Sequence, residues 1–73
     1  MYKLYTLPNC TYCEQAKALL QSKNLPYETY QIGVDIDREQ ILSQAPGIRT
    51  APIIFEDDTL IGTYNDLRKT LEE

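Results

Sequence analysis

The chain of 73 residues contains no histidine. Without an imidazole, Ser-His-Asp hydrolysis, Cys-His proteolysis and every other scheme built on a histidine base are excluded. Two cysteines with no histidine beside them also cannot complete a tetrahedral zinc site within one chain, so no metal residues are expected. Tryptophan is absent, and basic residues are in deficit: 7 Lys and Arg against 11 Asp and Glu give a formal charge of −4. The deficit is uneven, since residues 1–36 carry three basic and three acidic side chains and residues 37–73 carry four and eight. A phosphate-backbone binder needs a basic stripe, so nucleic acid is not an expected partner. No apolar run approaches membrane-spanning length, and the start Met1-Tyr2-Lys3-Leu4-Tyr5 lacks a basic segment followed by an apolar core. The expectation is a cytoplasmic chain that keeps all its residues and has no membrane partner.

What is present suits one small globular domain spanning residues 1–73, because 42% hydrophobic and 25% charged residues are ordinary proportions for a folded chain. At this length a stability of roughly 4–11 kcal/mol is expected, which leaves few positions for strained chemistry. Tyr2-Lys3-Leu4-Tyr5-Thr6 alternates and is rich in aromatic and branched types, as a first strand would be, and Pro8-Asn9 ends it. From Cys13 to about Lys23 good helix formers place Cys13, Ala16 and Leu20 on one stripe, and Pro26 lies beyond the end of that helix. Tyr27 to Ile32 reads as a second strand. The helix between the two strands is a crossover, so they should pair in parallel.

Asp37 with Gln40 three residues on predicts a capped second helix that turns Ile41, Leu42 and Ala45 inward and closes at Pro46-Gly47. Ile53-Ile54-Phe55 and Thr59-Leu60-Ile61, separated by Glu56-Asp57-Asp58, predict an antiparallel hairpin whose turn has no glycine. Thr63 with Asp66 predicts a capping box for a last helix that buries Leu67 and Leu71. The resulting order is β-α-β-α-β-β-α: an α/β chain with a four-stranded mixed sheet and three helices on its two faces.

Cys10-Thr11-Tyr12-Cys13 falls at the first strand-to-helix junction. A thiol at a helix start faces free backbone N–H groups and the positive end of the dipole, both of which favour the thiolate. Cys10 is therefore the expected nucleophile. Cys13, one turn inside on the buried stripe, is the expected resolving thiol, and two intervening residues keep the sulfurs within bridging reach. A structural staple is a weak explanation because so small a ring removes little chain entropy. Two buried apolar thiols, half of a metal site shared between chains, and a surface disulfide of a secreted protein are the competing readings. Pro52 immediately precedes the run Ile53-Ile54-Phe55. It is either a strand-start residue or the site of a cis peptide that turns the backbone of Ala51 toward the cysteines.

Together, the Cys10-Thr11-Tyr12-Cys13 start, Arg49-Thr50-Ala51-Pro52 before a hairpin, and Leu60-Ile61-Gly62-Thr63-Tyr64-Asn65-Asp66-Leu67 near the end resemble a glutaredoxin along nearly the whole chain. The compactness is similar to short bacterial and phage-encoded members. The resemblance implies a thioredoxin-like fold, a cis proline at Pro52, and reduction of protein disulfides or glutathione mixed disulfides at the expense of glutathione. Glutathione is then a co-substrate, and no cofactor is held permanently. It implies a glutathione groove with Tyr12 as a wall, Thr50, Ala51 and Pro52 pairing with the tripeptide, and Thr63, Tyr64, Asn65 and Asp66 at its far end. A helix start offers N–H donors to the γ-glutamyl carboxylate, and Asn65 or Asp66 offers an acceptor to the neighbouring ammonium. Asp66 also has the plain reading of a cap, and Arg49 that of a solvated charge or of a partner for a ligand carboxylate.

The chain departs from the family pattern at Thr11, where many members have Pro, at Leu7 (Lys), Ala51 (Val), Thr63 (Gly) and Asn65 (Asp). Losing the Lys leaves the helix start as the main term activating Cys10. Glutathionylated or disulfide-containing proteins, ribonucleotide reductase among them, are the implied partners of a monomer. Two alternatives are a donor to ribonucleotide reductase that is itself reduced by thioredoxin reductase, and a dimer holding a [2Fe–2S] cluster through the nucleophilic cysteine and glutathione. The missing tryptophan argues against the first, whose members typically carry one before the last helix.

Overall fold

The computed structural model describes residues 1–72; Glu73 of the expected domain lies outside the described residues. Strand β1 (Tyr2–Thr6) leads into helix α1 (Thr11–Ser22), followed by β2 (Tyr27–Gln31), α2 (Arg38–Gln44), β3 (Ile53–Glu56), β4 (Thr59–Gly62) and α3 (Tyr64–Glu72). The strands lie in the order β2-β1-β3-β4. β1 pairs in parallel with β2, as a helical crossover requires, and antiparallel with β3, which pairs antiparallel with β4. The sheet is thus mixed and four-stranded, in the predicted element order.

The period-two alternation of β1 divides the core. Tyr2, Leu4 and Ile54 face α1 and α3, where they pack with Ala16, Leu20 and Leu67. On the opposite face Ile53 and Phe55 meet Ile41 of α2 and Ala45 just after it, with Tyr5 and Ile48 at the margin. β3 is therefore buried on both sides, which accounts for its unbroken apolar run Ile53-Ile54-Phe55.

Local differences from the sequence expectations have simple causes. α1 starts at Thr11, two residues earlier than its composition predicts, because Cys10 is the N-cap: its backbone is extended (φ −106°, ψ 107°) and its Sγ accepts from the Cys13 N–H. β2 stops at Gln31, and Ile32 instead forms a separate bridge with Ile36. Asp37 caps α2 by position, but its side chain makes no capping bond, so the Asp37–Gln40 box does not form; the side chain is exposed to water at that end. The hairpin turn tightens to Asp57-Asp58, with Asp57 taking the left-handed conformation (φ 54°) in place of a glycine. Both flanking strands are one residue longer than expected, and the register slips between Ile54 and Phe55 against Gly62 and Leu60. This bulge leaves Ile61 unpaired just before α3.

Candidate active site

The loop after β1 delivers Cys10 to the α1 N-terminus, and the helix carries Cys13 one turn inward. The two form a disulfide, with their Cα atoms 5.2 Å apart. Cys13 is 2% exposed, whereas Cys10 is half-buried at the surface. The Cys13 N–H donates to the Cys10 Sγ at 3.1 Å. Once the disulfide is reduced, that donor and the positive end of a 12-residue helix favour the Cys10 anion. The Ala51–Pro52 peptide is cis, and the Ala51 carbonyl oxygen lies 3.7 Å from the Cys10 Sγ. In the disulfide this is a contact; in the thiol state Cys10 has an S–H to donate to that oxygen.

Beside the disulfide runs a groove of about 270 Å³. Tyr12 from α1 forms one wall, Thr50, Ala51 and Pro52 form the floor, and Thr63, Tyr64 and Asn65 close the end at α3. Tyr12 is 58% exposed, and its ring lies 6.0 Å from that of Tyr64, so two aromatic faces flank the channel. The groove thus gathers all the sequence-predicted binding residues except Arg49 and Asp66. Arg49 lines a separate apolar cavity of about 190 Å³ on the α2 side, which has Thr50 and Ala51 in common with the groove. Arg38 and Leu7 line that cavity too. Arg38 was not expected there. It sits at the start of α2 and Arg49 in the loop that follows, and no short-range spacing marks them as a pair.

Asp66 is occupied with the helix start. Its Oδ2 accepts from the Thr63 N–H at 2.9 Å and from the Thr63 hydroxyl at 3.1 Å. The backward half of the capping box forms as predicted, while the threonine hydroxyl, instead of capping, is spent on the same carboxylate. These bonds, the backbone one foremost, hold the Asp66 carboxyl below its ordinary value, with Lys69 adding a smaller pull. A carboxyl lowered in the folded state stabilises the fold above its unfolded value, and that contribution disappears as pH falls through the folded value. The melting-temperature gap between the wild-type protein and Asp66→Asn is therefore expected to be widest above about pH 5 and to close in stronger acid. A gap that stays constant throughout acid titration would remove the carboxylate from the cap.

The sequence model of the glutaredoxin family matches residues 3–61. This chain belongs to the glutaredoxin family. It is 38% identical over 66 residues to Glutaredoxin 1 of Rickettsia prowazekii (strain Madrid E), covering 88% of this chain and 70% of that protein. Against the rickettsial glutaredoxins as a group it spans 60–70% of their length. Among solved structures it is similar to reduced Escherichia coli glutaredoxin, with a TM-score of 0.81 at 27% identity, covering 97% of this chain and 92% of that one. It shares its fold with a buckwheat glutaredoxin solved in complex with glutathione, at TM-score 0.77 and 22% identity, covering 97% of this chain and 67% of that one. The thioredoxin-like architecture is thus shared with these relatives, and the family together with this chain's own Cys10–Cys13 disulfide makes it a thiol-disulfide oxidoreductase.

Proposed function

We propose that this glutaredoxin reduces protein disulfides and glutathione mixed disulfides in the cytoplasm with glutathione as the reductant, Cys10 serving as nucleophile and Cys13 as resolving thiol. The observation that carries the reading is the Ala51 backbone, 3.7 Å from the Cys10 sulfur, as the floor of a groove that ends at a helix start. An extended tripeptide can pair with that backbone while its sulfur reaches Cys10. Its γ-glutamyl carboxylate then meets the free N–H groups of Tyr64 and Asn65, and Asn65 offers an acceptor to the ammonium. Because Asp66 is bonded to Thr63, it acts on this end through the helix rather than by touching the ligand. At the opposite end Arg38 and Arg49 supply cations to the second carboxylate, beside Leu7, where many family members have a lysine.

In the reaction, the Cys10 thiolate attacks the glutathionyl sulfur of a mixed disulfide, a new Cys10–glutathione S–S bond forms, and the protein thiolate leaves with the electron pair and takes a proton from water. A second glutathione thiolate then attacks the glutathionyl sulfur on Cys10, yielding glutathione disulfide and regenerating Cys10. With a protein disulfide as substrate, Cys13 attacks the Cys10 sulfur instead and closes the Cys10–Cys13 disulfide, which two glutathiones reopen.

Comparison of the ¹⁵N-labelled Cys13→Ser protein with and without one glutathionyl group on Cys10 tests the groove. The expected shifts relative to the unloaded protein fall at Tyr12, Ala51 and Thr63 to Asn65; shifts confined to the α2 face would sink the assignment. Tyr12→Ala removes one aromatic wall and is expected to raise KM for a glutathionylated peptide roughly fivefold to tenfold with little change in kcat. A coupled NADPH assay separates the reductants: turnover with thioredoxin reductase and none with glutathione would reverse the proposal.

A further inference from the structure

A larger open hollow of about 610 Å³ also borders the disulfide and shares no lining residue with the Tyr12 groove. Asn9, Cys10, Cys13, Glu14, Lys17 and Gln31 are among its walls, so both cysteines border it. Cys13 itself is 2% exposed; it lines this hollow and does not line the Tyr12 groove. Lys17 follows Cys13 by four residues, hence on the same helix face and one turn on. Helical side chains lean toward the N-terminus, which carries the Lys17 stem back over the turn that holds Cys13. The lysine side chain is 30% exposed, and its ammonium is 3.3 Å from the Glu14 carboxylate.

Among the described residues Glu14 and Lys17 are the charged side chains that line this hollow. β1 contributes Thr6, β2 contributes Gln31, and the loop contributes Asn9, all uncharged. Asp35 stands one bond behind, accepting from the Gln31 N–H at 2.8 Å. From α3, which packs on α1, Tyr64 lines the Tyr12 groove, and no α3 side chain is among the walls of this hollow. A buried thiol resists ionisation, and a cation in the hollow it borders opposes that resistance.

We propose that Lys17 is a positioning residue for the second half of the reaction: its ammonium, restrained by Glu14, favours the Cys13 thiolate that displaces the substrate from Cys10. The inference rests on Cys13 as the resolving thiol. In the step concerned, the Cys13 proton passes to water in the hollow, the Cys13 thiolate forms an S–S bond with the Cys10 sulfur, and the substrate sulfur departs with the electron pair. The substrate is reduced and the two cysteines are oxidised. Lys17 neither gives nor takes a proton; it changes how much Cys13 is ionised at a given pH.

Single-turnover reaction of the fully reduced protein with a slight excess of the aromatic disulfide 5,5′-dithiobis(2-nitrobenzoate) reads the two steps separately. The first nitrothiobenzoate released reports attack by Cys10, and the second reports displacement by Cys13. In Lys17→Gln the second phase is expected to slow about threefold to fivefold below its pH midpoint and the midpoint to rise, with the first phase changing less. Lys17→Arg is expected to restore the wild-type profile, and Glu14→Gln to shift the second-phase midpoint downward. An unchanged second-phase midpoint in Lys17→Gln overturns the proposal, as does an equal change in both phases. A second phase that survives in Cys13→Ser overturns the resolving assignment and the proposal with it. Because no glutathione is present, these outcomes are independent of whether glutathione is the reductant.

Discussion

Replacing Cys10 with serine is expected to abolish the reduction of hydroxyethyl disulfide by glutathione, lowering kcat/KM by at least about a thousandfold, while leaving the fold in place. The two halves of that expectation have separate causes. Cys10 is the N-cap of α1, with its Sγ accepting the Cys13 N–H. Serine is among the best N-cap residues, so its hydroxyl takes over the capping bond and the helix start persists. Chemically, an alcohol at neutral pH does not furnish the anion that attacks a disulfide, and no imidazole exists anywhere in the chain to make one. Far-UV circular dichroism and a thermal melt should match wild type while activity disappears. Retention of activity would remove Cys10 from the nucleophile role. Cys13→Ser provides the contrast: it should still turn over a glutathionylated peptide, since glutathione can resolve the intermediate, and should lose most of its activity on a protein disulfide.

How much of this site was legible beforehand follows from the range over which each residue acts. The cysteine pair, Pro52 and the Thr63–Asp66 turn are local signals, each readable within four residues, and the fold sets all three around one groove. The start of α1 was misplaced because cysteine is not among the residues that ordinarily signal an N-cap; only the extended backbone of Cys10 and its bond to Cys13 reveal it. β2 is an edge strand with Glu28 and Thr29 exposed, so it lacks the one-sided alternation that defines a strand's ends, and its limit at Gln31 is set by pairing with Thr6 of β1. The meeting of Arg38 with Arg49 beside Leu7 brings together three segments far apart in the chain. That Lys17 shares a helix face with Cys13 is readable from their spacing of four, but the hollow that both line is closed by Thr6 and Gln31 from two strands, which the helix sequence does not encode. Asp66 was legible first as a cap and also as a ligand; two bonds from its Oδ2 to Thr63 make the cap.

Gly62→Ala is expected to be the most damaging single-methyl change in the chain, costing about 2–4 kcal/mol and lowering Tm by roughly 10–25 °C. Gly62 ends β4 with φ +123°, a conformation that side chains rarely adopt. A Cβ built there collides with the Asp66 Oδ2 and comes within 2.9 Å of its Cγ. That carboxylate holds the Thr63 N–H and hydroxyl, so it cannot withdraw without giving up the α3 cap. Backbone strain and cap loss therefore add, and against a total of roughly 4–11 kcal/mol the sum is a large fraction. Gly33→Ala is the control, since Gly33 also has positive φ (+89°) but nothing within 4 Å of its added Cβ. It should cost only the strain, about 1 kcal/mol. Equal losses in the two variants would refute the collision. The functional consequence follows from the same geometry: because the start of α3 closes the groove, Gly62→Ala protein assayed well below its Tm should also show a raised KM for glutathione, which Gly33→Ala should not.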